Sequence, residues 1–307
     1  MLKGIYTPIV TPFKENGDID YESMDFNLEK WIQTDLDGLV VLGSNGEFAY
    51  LSQEEKLELA THVIMKVDKR KKIIVGTGCE STRETIKFSN QAAQAGADAV
   101  LVLPPHYYKK SMNDEVFFAY FTEVANNIDV PLMIYNMPGN TGVNLTSSVI
   151  ARLSKNKNII GIKDTSGDII QIGEMLRDVD KDFVVFAGSA GYLLPALCLG
   201  AKGATLALAN ILPEDCCRLV QLYHENKLAE ARELQLKMIE INKLVTGVYG
   251  IPGLKVGLDQ KGYKGGLPRK PLLPLEQSKK EVLLKTLEEY DQQSSWVQEA
   301  FQTSSDH

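Results

Sequence analysis

Metal-ligating patterns are scarce in this chain. Its four histidines, His62, His106, His224 and His307, are scattered, and no cluster of the kind that holds a catalytic zinc emerges. The four cysteines, Cys79, Cys198, Cys216 and Cys217, include no C-x-x-C pair. Adjacent Cys216-Cys217 is not a metal-ligand spacing. They read as reduced, packing cysteines of a cytoplasmic protein. Positive charge is also short. The net charge is −7 and the sequence pI about 5.3. With no Lys/Arg cluster, this argues against a nucleic-acid surface. It leaves open small anionic substrates, which bind to local groups. No apolar run approaches a membrane span. A strand-like segment, Gly4-Ile5-Tyr6-Thr7, starts almost at once, so the chain as given is expected to carry no signal or transit peptide.

What remains is an ordinary globular composition, 44% hydrophobic and 24% charged over 307 residues. Short Val/Ile/Leu runs recur, each followed by a turn and a helical pattern. The expected strands are 4–10, 38–43, 72–76, 99–103, 131–135, 159–163, 183–188 and 203–208. Continuous rather than alternating apolar runs fit strands covered on both faces, as in a parallel sheet. Ser52 with Glu55, and Ser81 with Glu84, have the spacing of reciprocal helix caps. Leu57, Ala60, Ile64 and Val67 keep one helical face, and Pro213 suits the first turn of a helix. Eight such units predict a (β/α)8 TIM barrel over residues 1–225. An open doubly wound sheet is the alternative, but it usually stops at fewer strands. Residues 226–307 read as a C-terminal helical appendage, with helices expected over 227–245 and 276–292. The polar end, Gln302-Thr303-Ser304-Ser305-Asp306-His307, is expected to fray.

The unusual residues fall at the C-terminal ends of the strands, where barrel chemistry resides. Lys163 ends the run Ile159-Ile160-Gly161-Ile162. A desolvated lysine loses its preference for the ammonium form, and a neutral amine can attack a carbonyl to give a Schiff base. The plainer reading has Lys163 snorkel to water or pair with Asp164. Strand two ends in Gly43-Ser44-Asn45-Gly46-Glu47-Phe48, either a simple turn or one that offers donors to a carboxylate. Strand five ends in Tyr135-Asn136-Met137-Pro138-Gly139-Asn140. Tyr135 there either relays protons or packs at the rim. Tyr107 and Tyr108 follow strand four, and one can face inward and the other outward toward a neighbouring subunit. Gly188 in Gly188-Ser189-Ala190-Gly191 permits either close approach of a ligand or a plain turn.

Taken in order and spacing, Gly43-Ser44-Asn45-Gly46-Glu47, Tyr135-Asn136-x-Pro138, Gly161-Ile162-Lys163-Asp164 and Gly250-Ile251-Pro252-Gly253-Leu254-Lys255 resemble the dihydrodipicolinate synthase and N-acetylneuraminate lyase family of pyruvate-linked class I aldolases. The resemblance covers nearly the whole chain. It implies a (β/α)8 barrel with a helical C-terminal region, commonly a homotetramer built as a dimer of dimers. It implies no metal and no separate cofactor, because the lysine imine is itself the electron sink. Lys163 would form the Schiff base with a pyruvate-derived 2-oxo acid, and Tyr135 would shuttle protons. Ser44 would link Tyr135 to Tyr108 of the adjacent subunit. Ser44 and Asn45 would hold the pyruvyl carboxylate, and Gly188 and Thr205 would line the floor near the imine.

Within the family, the synthases carry an arginine where this chain has Asn140, and that arginine serves their semialdehyde substrate. The sialic acid lyases usually have threonine where this chain has Asn45. Gly78-Cys79-Glu80-Ser81-Thr82, Asn140-Thr141-Gly142, Gly188-Ser189-Ala190-Gly191 and Ala207-Leu208-Ala209-Asn210 look most like the 4-hydroxy-2-oxoglutarate aldolase branch. There the residue two past the lysine binds substrate through a hydroxyl, which Thr165 retains. The resemblance therefore implies cleavage of 4-hydroxy-2-oxoglutarate to pyruvate and glyoxylate. The rival readings are a 2-keto-3-deoxy sugar-acid aldolase or dehydratase, a synthase despite Asn140, and a non-catalytic barrel that binds an oxo acid.

Overall fold

The computed structural model describes residues 2–304, with side chains through residue 292. Eight parallel strands close into a barrel in chain order. They are β1 (Gly4–Pro8), β2 (Gly38–Val41), β3 (Lys72–Gly76), β4 (Ala99–Val102), β5 (Leu132–Asn136), β6 (Ile159–Asp164), β7 (Val184–Ala187) and β8 (Gly203–Thr205). The barrel closes where Gly4 pairs with Gly203 and Tyr6 with Thr205, which rules out the open doubly wound sheet. Several strands stop short of the apolar runs that mark them. Beyond β2, for example, Leu42 turns to a φ of 61° and the chain leaves the ladder.

The period of two along a strand splits its residues between two cores. Tyr6, Val40, Ile74, Leu101, Met133, Tyr135 and Phe186 cluster inside the barrel. Leu39, Val41, Val100, Ile134, Ile162 and Val185 face the surrounding helices. Both faces are buried, which explains the unbroken apolar runs.

The helix Gln53–Val67 starts with the full reciprocal cap, Ser52 Oγ taking the Glu55 N–H and the Glu55 carboxylate taking the Ser52 N–H. Its buried stripe is Leu59, Ala60, Val63 and Val67, with Leu57 and Ile64 only partly buried at its flanks. The helix Thr82–Ala95 has the Ser81 half of its cap. Pro213 opens the helix Pro213–His224.

The helix expected over 227–245 divides into an α-helix, Leu228–Lys243, and a π-helical turn, Leu244–Val248. It docks on the barrel through Gln235. The side-chain amide donates to the Ala190 carbonyl at 2.7 Å and accepts the Leu194 N–H at 2.9 Å. Helices Gly250–Gln260 and Gln277–Ser304 follow. Of the polar end that was expected to fray, residues 302–304 continue the last helix, and the remainder lies outside the described residues. No helix among the described residues is long and apolar enough to cross a membrane.

Candidate active site

Register brings the key pair together. Tyr135 of β5 pairs with Lys163 of β6, which pairs with Phe186 of β7. Residues level on neighbouring strands share a face, so Lys163 joins Tyr135 and Phe186 inside the barrel. Lys163 is 3% exposed, and its Nζ sits 4.2 Å from the centroid of the Tyr135 ring. The Tyr135 hydroxyl lies 3.3 Å from Ser44 Oγ. Three of the expected residues, from three strand ends, thus converge.

Lys163 does not pair with Asp164. Adjacent strand residues point to opposite faces, and the fully buried Asp164 carboxylate is held by other donors. Asn136 Nδ2 donates to it at 2.7 Å, the Ser166 N–H at 3.0 Å and Gln171 Nε2 at 3.3 Å. The Ser166 hydroxyl adds a short bond. A buried carboxylate needs such partners, because stripping its water otherwise costs several kcal/mol.

The Ser44 turn is built by backbone geometry. Gly43 is extended and Ser44–Gly46 form one 3₁₀ turn. The N–H groups of Gly46 and Glu47 close on the Gly43 and Ser44 carbonyls at 2.9 and 3.1 Å. Ser44 and Asn45 stand half-buried. Glu47 then adopts left-handed geometry, φ 56° and ψ 32°, a conformation that costs a non-glycine residue about 1–2 kcal/mol. Its buried carboxylate is fixed from the C-terminal region. Lys255 Nζ lies 2.7 Å from Oε1, and the Arg269 N–H donates to Oε2 at 2.8 Å. Lys255 also donates to the carbonyls of Thr11 and Leu267 at 2.7 and 2.6 Å. Burial pushes the Lys255 ammonium below its ordinary pKa, and Glu47 opposes that shift in part.

Thr205, Thr165, Gly188 and Asn140 lie at or just beyond the ends of β8, β6, β7 and β5. Thr205 faces the interior at the end of β8, and its buried hydroxyl has no hydrogen-bond partner among the described residues. The Thr165 hydroxyl has none either. Such groups suit a ligand or ordered water. Gly188 has no room for a side chain: a Cβ there would meet Thr165 Oγ1 at 2.0 Å and the Asp164 carbonyl at 2.6 Å. Asn140 is exposed on the short helix Pro138–Thr141 that follows β5. Tyr107 and Tyr108 do not divide between inside and outside as expected. Neither faces inward: they are 76% and 73% exposed and meet edge to face at 5.1 Å. Within one chain, no hydrogen bond joins Tyr108 to Ser44 among the described residues.

Sequence reasoning missed four residues: Asn136 as the partner of Asp164, Glu47 and Lys255 as a pair, and Tyr192, whose hydroxyl donates to the Asp164 carbonyl at 2.8 Å. Burial, then the Asp164 charge, raises the Tyr192 pKa, which keeps that donor protonated. A much larger concavity, about 1080 Å³, lies beside the helix Pro213–His224. Gly4, Asp37, Glu214 and Asp215 line it, and it holds none of the converging residues. The cavity beside Ser44 and Tyr135 is only about 10 Å³. Size and chemistry therefore disagree, and the chemistry of the side chains decides the assignment.

With the family match that follows, the barrel makes this chain a carbon–carbon lyase or synthase of the lysine Schiff-base type, a class I aldolase. The chain belongs to the dihydrodipicolinate synthetase family, whose model matches residues 1–290. It is 33% identical over 292 residues to the 4-hydroxy-tetrahydrodipicolinate synthase of Thermoanaerobacter sp. (strain X514), covering 94% of this chain and 97% of that one. Among solved structures, the 4-hydroxy-tetrahydrodipicolinate synthase of Methylacidiphilum fumariolicum SolV superposes with a TM-score of 0.92 at 33% identity, covering 97% and 99% of the two chains. A prophage protein of the dihydrodipicolinic acid synthase family from E. coli K12, in complex with pyruvate, superposes at 0.89 and 30% identity, covering 95% and 99%.

Proposed function

We propose that the enzyme cleaves 4-hydroxy-2-oxoglutarate to pyruvate and glyoxylate through an imine on Lys163. The observation that carries this reading is the placement of Lys163, 3% exposed, level with Tyr135 on the neighbouring strand. The Lys163 amine adds to the C2 carbonyl of the substrate, and water leaves as the imine forms. Tyr135 accepts the proton of the C4 hydroxyl. The C3–C4 bond breaks, its electron pair moves into the protonated imine, and glyoxylate departs. The enamine takes a proton at C3, and water hydrolyses the pyruvyl imine to free Lys163. Ser44 and Asn45 hold the pyruvyl carboxylate, while Thr165 and Thr205 supply hydroxyls to the ligand. Asn140 borders the aldehyde side, and Gly188 and Thr205 line the floor near the imine. In the assembly, a second copy of the chain supplies Tyr108 to the relay through Ser44, within a homotetramer.

A synthase reading has support of its own. The curated relative above is named as a synthase, and the same imine can condense rather than cleave. Asn140, with no positive charge at that position, favours cleavage. The test is borohydride reduction with pyruvate, peptide mapping of Lys163, and then a substrate panel. A reduced pyruvyl adduct on Lys163 with pyruvate release from 4-hydroxy-2-oxoglutarate supports the proposal. An adduct with turnover only on a semialdehyde or a 2-keto-3-deoxy sugar acid moves the assignment to a sister activity. An unmodified Lys163 in folded protein removes it.

A further inference from the structure

We infer that Asn136 and Asp164 form a positioning clamp that sets Tyr135 level with Lys163; the inference rests on the roles proposed above for those two residues. The β5–β6 ladder is irregular where it begins: Leu132 pairs with Ile159, the next pair is Met133 with Gly161, and the register shifts between them. The start of the ladder therefore does not dictate the register at its end. A slip of one residue turns every side chain of a strand to the other face, which would move Tyr135 or Lys163 out of the barrel interior.

The end of the ladder carries an additional tie. One step beyond the Tyr135–Lys163 pair, Asn136 pairs with Asp164, and both are fully buried. Asn136 Nδ2 donates to Asp164 Oδ2 at 2.7 Å and to Asn144 Oδ1 at 2.8 Å. Asn136 Oδ1 accepts the Leu145 N–H at 3.1 Å. The Thr165 N–H donates to the Asn136 carbonyl at 2.9 Å. From the other side, the Asp164 carbonyl accepts the Gly188 N–H at 2.7 Å and the Tyr192 hydroxyl at 2.8 Å. Asn136 and Asp164 thus touch no reacting atom. They act by holding the ends of β5, β6 and the turn after β7 in one register. A charge-assisted bond between buried groups is strong and directional, and a shifted register leaves the carboxylate without this donor.

The test compares wild type with Asn136→Asp, Asp164→Asn and the exchanged pair Asn136→Asp/Asp164→Asn, well below each protein's thermal midpoint. Asn136→Asp opposes two carboxylates. It is expected to lower kcat and the rate of borohydride-trapped adduct on Lys163 by at least about tenfold. KM should stay within about threefold, because the carboxylate-binding turn is untouched. The exchanged pair rebuilds one amide–carboxylate bond and should recover most of the lost rate, which bulk packing damage would not predict. Should Asn136→Asp fail to fold, Asn144→Ala removes one bond to the Asn136 amide and should cost about threefold in kcat. Wild-type adduct rates in folded single variants, or no recovery in the exchanged pair, would overturn the clamp alone. Absence of adduct on wild-type Lys163 would overturn both the clamp and the proposed function.

Discussion

Replacing Lys255 by methionine leaves the buried Glu47 carboxylate without its ion-pair partner. Lys255 is 2% exposed. Its Nζ meets Glu47 Oε1 at 2.7 Å and two backbone carbonyls at 2.6 and 2.7 Å, and lies 4.8 Å from the centroid of the Phe13 ring. Methionine matches the length of the side chain, so the cavity term is small. Desolvation already offsets much of the attraction within such a pair, yet removing one partner strands the other and costs about 3–5 kcal/mol. At roughly 2 °C per kcal/mol for a chain of this size, the thermal midpoint should fall by about 6–10 °C. Calorimetry or circular dichroism at pH 7 reads the change. The double variant Glu47→Gln/Lys255→Met removes both charges and lets the new amide oxygen accept the Arg269 N–H. It should regain about 2 kcal/mol over Lys255→Met, leaving the two orphaned carbonyls as the residual cost. The reasoning is refuted if Lys255→Met lies within about 1 kcal/mol of wild type, or if the effects of the two substitutions simply add.

Two further outcomes are expected. The Arg269 guanidinium, donating to Glu55 at 2.8 and 2.5 Å, holds that carboxyl below its ordinary 4.5. A depressed folded-state value contributes stability above pH 4.5 that is lost as pH falls through the lower folded value. Glu55→Gln should therefore melt below wild type at pH 7, and the gap should close on acidification; a gap that does not change with pH would count against the ion pair. For Tyr108, phenylalanine should lower turnover without shifting the melting midpoint. Mixing Tyr108→Phe with Lys163→Ala subunits should restore a minority of intact sites; no rescue where exchange is demonstrated would make each chain self-sufficient.

Much of this architecture is legible in the sequence for a physical reason. Strands covered on both faces must be apolar throughout, so each announces itself, and barrel chemistry gathers at one end of the strands. Lys163, Tyr135 and Ser44 stood out as polar groups at the ends of such runs. Lateral relations were hidden. Asn136 and Asp164 are separated by 28 residues, and their contact depends on a register that the irregularity at Leu132/Met133 resets. Glu47 and Lys255 meet only once the C-terminal helices dock. The π-helical turn Leu244–Val248 has no apolar period to betray it. The outward direction of both Tyr107 and Tyr108 follows from the loop path after β4, which strand periodicity does not reach.

The lysine and tyrosine stand on neighbouring strands of the barrel wall, whereas Asn140 and Thr165 belong to the segments that follow those strands and Gly188 to the segment after β7. On the roles proposed above, the imine-forming residues and those bordering the substrate thus lie on separable parts of the chain. On those roles, substitutions in the segments 138–142, 165–168 and 188–192 are expected to change the aldehyde accepted while leaving Lys163 and Tyr135 in place. One ancestral barrel can in this way seed many specificities without reinventing its reaction.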